Sequence, residues 1–226
     1  MKNFKQLCIL IAFVAVVFSS CSKDEAEPAA TPFVPAFTSA NLNTKIPASL
    51  ATKSPQTAEQ VNLMISLMSL VEELQTSKTA GKANRKDSWT SGDFTINYTG
   101  SDTATQHLYS FTISQGSVTY YTINGWENIS GNAGHWVLEM SATATSDIAV
   151  SVDFDWTKNA TNDFHLDMLI VSGISNFHIV ANINNDNSGD IAGYMGTTLT
   201  FKSVWTTTGS GQYTDYTTTP PTVTIY

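Results

Sequence analysis

Ile148-Ala149-Val150-Ser151-Val152-Asp153-Phe154-Asp155-Trp156 is followed by Thr157-Lys158-Asn159-Ala160-Thr161-Asn162-Asp163 and then by Phe164-His165-Leu166-Asp167-Met168-Leu169-Ile170. The outer two segments alternate apolar and polar residues. A period of two is the signature of a β-strand with one face buried and one in water. The polar segment between them is too short for a crossover helix, so the two strands must pair antiparallel.

The same alternation extends outward in both directions. Phe94, Ile96 and Tyr98 form one run, and Val118, Tyr120, Thr122, Asn124 and Trp126 another. Phe177, Ile179, Ala181 and Ile183 follow, then Leu199, Phe201 and Trp205. Short turns separate the runs, at Gln115-Gly116, Ser172-Gly173 and Met195-Gly196, and at the Asn-, Thr- and Gly-rich stretches 128–132, 184–189 and 208–211. The sequence therefore predicts a mainly β domain over 88–226. About ten antiparallel strands run up and down in a meander that closes as a barrel or curves strongly.

A loose repeat overlies these hairpins. Trp89, Trp126, Trp156 and Trp205 each precede a turn, with Asn182 in the corresponding place of another hairpin. After the turns come Asp93-Phe94, His135-Trp136, Asp163-Phe164 and Gln212-Tyr213. The expectation is that each Trp faces inward and caps one end of the core. A platform for stacking sugar rings is the functional alternative.

One helix is expected ahead of the sheet, over 56–76. Thr57 and Gln60 have the spacing of a capping box, with Thr57 as N-cap. Leu63, Leu67, Leu70 and Leu74 fall on one stripe, which Val61, Met64, Ile65 and Met68 widen. So apolar a helix needs a large surface to bury against, and packing on or in the sheet supplies one. Residues 77–87, carrying Lys78, Lys82, Arg85 and Lys86, read as a basic solvated linker.

The N-terminus reads as an export signal. Lys2 and Lys5 precede an apolar run from Leu7 to Phe18, and Ser19-Ser20 stand before Cys21. The run is shorter than the ~20 residues that span a bilayer. Small residues followed by a cysteine resemble a lipobox, which implies cleavage of 1–20 and lipidation of Cys21. Ser22-Lys23-Asp24-Glu25-Ala26-Glu27 is similar to the charged export signal of Bacteroidota-type surface lipoproteins. That resemblance implies the outer membrane and exposure on the cell surface. Residues 21–55, with Pro28, Pro32, Pro35, Pro47 and Pro55, read as a lipidated, disordered tether.

The chain has 11 Lys and Arg against 19 Asp and Glu, a net charge of -8. Without a basic stripe it is a poor partner for nucleic acid. No nucleophile elbow, His-Glu-x-x-His zinc motif or phosphate loop is present, and Cys21 is the only cysteine past the signal, so the sequence points to no catalysis.

Three candidate sites remain. If the pairs across the central hairpin sum to 320, Asp155 faces His165 and Asp153 faces Asp167. Opposed carboxylates are unfavourable unless a cation joins them, so Asp153, Asp155, His165 and Asp167 form a candidate metal set. Asn182, Asn184, Asp186 and Asp190 place oxygen ligands at alternate positions and resemble a calcium loop without the bidentate Glu of the EF-hand. Asp102-Thr103-Ala104 resembles the short O-glycosylation signal of the same bacterial group, with Thr103 as acceptor. No other cofactor is expected.

Two functions follow from this. If the helix plugs the sheet, the protein is a non-catalytic structural or interaction module at the cell surface, with a surface protein or glycan as partner. If the helix sits at the rim, the interior is a lipocalin-like pocket for a small apolar ligand or a carbohydrate.

Overall fold

The computed structural model describes residues 39–76, 85–141 and 148–226. The expected signal peptide, Cys21, the expected tether up to residue 38, and Lys78 and Lys82 lie outside them. Among the described residues, three helical segments, α1 (Ser39–Asn43), α2 (Leu50–Lys53) and α3 (Pro55–Thr76), precede the strands. These are β1 (Arg85–Ser91), β2 (Phe94–Asp102), β3 (Gln106–Gln115), β4 (Val118–Asn128), β5 (Ala133–Ser141) and β6 (Ile148–Lys158). Then follow β7 (Phe164–Ser172), β8 (Ser175–Ile183), β9 (Gly189–Met195), β10 (Thr198–Trp205), β11 (Gly211–Asp215) and β12 (Thr222–Ile225).

All the strands form one antiparallel sheet in sequence order, β1 to β12. The expected meander is present, with twelve strands rather than about ten. β1 and β12 do not pair, so the sheet is open and the expected closed barrel is not formed. The sheet reaches further than expected at both ends. Arg85 to Asp87, expected in the basic linker, already belong to β1. Thr222-Val223-Thr224-Ile225 adds a short final strand after Pro220 and Pro221.

Turn chemistry alternates between the two ends of the sheet. At one end Gly92, Gly116, Gly173 and Gly196 each open a two-residue hairpin loop at φ +59. A positive φ at the first loop residue alone is the Gly-X arrangement that matches strand twist. At the other end the loops are longer, and three share one hydrogen-bond plan. Asn159, Asn184 and Thr206 donate their N–H to Asp163, Ser188 and Ser210, and their carbonyls accept from Asn162, Asn187 and Gly209. The last three residues are the left-handed ones.

Helix α3 lies in the core of the sheet. Val61, Leu63, Met64, Ile65, Leu67, Met68, Leu70 and Val71 are all buried, in one cluster with Ile96, Phe111, Val152, Phe154, Met168 and Phe201. Among the helix residues whose burial is described, Pro55, Gln56, Glu59, Asn62 and Ser69 are the exposed ones. A helix apolar around most of its circumference is stable only when enclosed, and each buried side chain contributes roughly 1.5–3 kcal/mol. The helix begins two residues before the expected cap, with Pro55 in the first turn, where its missing N–H costs nothing. Ser54 supplies the carbonyl that accepts from Ala58 N–H at 3.0 Å.

Thr57 instead fastens the helix to the sheet. Its buried hydroxyl donates to Ser203 Oγ on β10 at 2.7 Å, and Ser203 in turn meets the Tyr226 hydroxyl at 2.8 Å. The end of the expected tether is also folded. Leu42 and Leu50 are fully buried, Ser49 donates to Thr208 O at 2.7 Å, and Lys53 reaches Ser210 Oγ at 2.7 Å.

Glycines let the sheet accept its large side chains. Trp156 lies over Gly134, Trp205 over Gly189, Phe201 over Gly193 and Tyr109 over Gly125, each pair directly opposed on neighbouring strands. Trp156 and Trp205 thus face inward, and Trp89 packs against the core, as expected. Trp126 does not. A bulge between Ile113 and Ser114 shifts the β3–β4 pairing, so Tyr121, Ile123 and Glu127 share the inner face and Trp126 points outward.

Candidate functional site

Among the described residues, α3 fills much of the inner face. Where the end of α3 meets β3–β6, a gap of about 20 Å³ lies among Ser39, Met68, Glu72, Tyr109, Glu127 and Trp136. That is room for about one water. Chemistry with outside molecules falls to the outer face, where polar alternate positions of β4–β9 line up across the strands.

Register decides who meets whom there. Thr157 and Lys158 extend β6 beyond Trp156 and shorten the loop to 159–163, so β6–β7 pairs sum to 322 rather than 320. Asp155 is opposite Asp167, Asp153 is opposite Leu169, and His165 is opposite Thr157. The candidate metal set is therefore not assembled in its expected form. His165 turns away to Asn182, with Nδ1 2.8 Å from Oδ1. Asp167 contacts His178 Nε2 at 2.6 Å.

His135, from β5, stands where His165 was expected. Its Nδ1 is 3.0 Å from Asp155 Oδ1 and 3.4 Å from Asp153 Oδ1. The three potential ligand atoms lie within 4.8 Å of one another, the one such group among the described residues. Trp126 stacks on the His135 ring at 6.3 Å between centroids and 28° between planes. Partial burial raises the Asp153 carboxyl above its ordinary value, and the Asp155 and Asp167 charges push the same way, while His135 opposes them. The β4–β5 pairing that brings Trp126 to His135 was invisible in sequence because the bulge reverses the phase of β4.

No family model, curated protein or solved structure matches the chain. The outer face must be read from its own chemistry.

The Asn/Asp loop at 184–188 closes on itself. Asp186 Oδ1 accepts from Ser188 N–H at 2.9 Å and Oγ at 2.6 Å, which holds its carboxyl below the ordinary value. Asn184 Nδ2 donates to Ser188 Oγ at 2.9 Å. Asn182 sits two strand positions away, donating to both Asp190 oxygens at 3.2 Å. The four residues of the proposed calcium loop thus divide into a turn and a cross-strand pair, each with its own hydrogen bonds. Asp163 ties this loop to its neighbour by accepting the Asn185 N–H at 2.8 Å, and Lys45 binds Asn185 from α1's end of the chain.

Thr103 is exposed in the β2–β3 loop. Its Oγ1 accepts from Gln106 N–H at 2.9 Å, while the neighbouring Asp102 carboxylate meets His107 Nδ1 at 2.6 Å.

Proposed function

We propose that this chain is a non-catalytic interaction module, held at the outer membrane through a lipid on Cys21 and working at the cell surface. The observation that carries the reading is the burial of α3. The helix occupies the apolar side of the sheet, which a lipocalin-like protein would keep for its ligand. With that face filled and the sheet open, the outer face is the part available to a partner. Its band of Trp126, His135, Asp155, Asp167, His178 and Tyr194 offers aromatic and hydrogen-bonding groups suited to a protein or glycan surface.

Two measurements test it. A fluorescent fatty acid titrated into the purified chain is expected to give no saturable signal, and one-to-one binding would overturn the reading. Protease added to intact cells is expected to cleave the domain. Protection that persists until the outer membrane is permeabilised counts against surface placement.

A further inference from the structure

We propose that His135 Nδ1, Asp153 Oδ1 and Asp155 Oδ1 form a binding site for a divalent first-row transition ion of the Zn²⁺ type on the outer face of β5 and β6.

The donor set is mixed, one imidazole nitrogen and two carboxylate oxygens, which suits borderline ions such as Zn²⁺. Calcium prefers six to eight oxygen ligands, and an imidazole serves it poorly. The nitrogen lies 3.0 and 3.4 Å from the two oxygens. Ligand atoms about 2.0–2.2 Å from a zinc ion in a tetrahedral arrangement stand a little over 3 Å apart, so the nitrogen already stands at near ligand spacing from each oxygen, with all three atoms within 4.8 Å of one another. Binding replaces the imidazole–carboxylate contacts by three metal bonds. Water fills the remaining position, because this face is open to solvent.

The ligands are held by rigid elements rather than loops. Asp153 and Asp155 are alternate residues of β6, and Asp155 is directly paired with His135 on β5. Trp126 fixes the plane of the imidazole from the other side. Electrostatics favours a cation as well. Asp155 and Asp167 are directly opposed like charges. Among the described residues no Lys or Arg forms an ion pair with Asp153, Asp155 or Asp167. His178 holds Asp167 in place, so that carboxylate acts as a nearby negative charge outside the ligand set.

The test is calorimetric titration of the full chain with Zn²⁺ at neutral pH. The expected result is one-to-one binding that weakens about tenfold or more in His135→Ala and in Asp155→Asn. His165→Ala and His107→Ala, which alter histidines paired elsewhere, are expected to bind like the parent. All four sites are exposed or half-buried, and an unchanged thermal melt confirms each variant is folded. Absence of saturable binding by the parent overturns the proposal. So does parental affinity in folded His135→Ala, or an equal loss in His165→Ala.

Discussion

Trp205 folds across Gly189, so that its indole ring fills the space where any other residue would carry a β-carbon. The two residues are directly paired between β10 and β9, and Trp205 Nε1 donates to Asn187 O at 3.1 Å. The ring thereby closes the core beneath the 184–188 loop and satisfies a backbone carbonyl of that loop.

Gly189→Ala is expected to lose about 1–3 kcal/mol, the usual cost of overfilling a packed core. The added methyl meets the Asn182 carbonyl as well as the ring, so rotating the indole alone does not relieve it. Urea denaturation should show a lower midpoint with an unchanged slope. An unchanged midpoint would mean the ring does not lie over the glycine.

The two tryptophans that precede turns in β4 and β6 should behave differently despite their similar sequence settings. Trp156→Ala empties a core position and should cost about 3–5 kcal/mol. Trp126→Ala removes a stack on an outer-face imidazole and should cost no more than about 1.5 kcal/mol. The comparison of denaturation midpoints checks the bulge between Ile113 and Ser114 directly, because without it Trp126 would face inward and the two costs would be similar.

The Thr57–Ser203 hydrogen bond joins α3 to β10 inside the core. Thr57→Val leaves a buried hydroxyl short of a partner and should cost about 1–3 kcal/mol. The double variant with Ser203→Ala should cost less than the two single changes added together. A double-mutant cycle measures that coupling, and strict additivity would place the two side chains apart.

Asp163 predicts a pH dependence at the long-loop end. Hydrogen bonds from Thr161 and Asn159, then the Asn185 N–H, hold its carboxyl down at about 2, against an ordinary 3.8. Because the folded value is depressed, the tie is at full strength above the ordinary value. It is lost as pH falls from there through about 2. The Asn185 amide proton, followed by NMR, should titrate with a midpoint near the depressed value, and Asp163→Asn should abolish that inflection. A midpoint at the ordinary carboxylate value contradicts the tie.

Much of this architecture was legible in the residues. Period-two patterning located β6, β7 and β8 and their inner faces, because a strand with one buried face cannot hide its alternation. The Gly-X pairs located the tight turns for a similar reason, since few residues tolerate the left-handed conformation. The wide apolar stripe of 61–74 announced a helix needing enclosure. What was not legible depended on shifts of one or two residues. The bulge after Ile113 turned Trp126 outward, and the loop from Asn159 moved Asp155 from His165 to Asp167. Either shift changes the partners on the outer face without altering the hydrophobic pattern. Sequence therefore found the acidic pair on β6 but assigned it the wrong histidine. The start of β1 was placed too late because Arg85 and Lys86 look like linker, although both already pair with β2.

Amide hydrogen exchange along α3 tests the central claim, that this helix is the filling of the sheet rather than a cover over an open pocket. The amides from Val61 to Val71 should exchange as slowly as those of β6 and β7, and be released only with global unfolding. Rapid exchange in α3 while β6 and β7 stay protected would contradict the account and return the apolar face to an outside ligand.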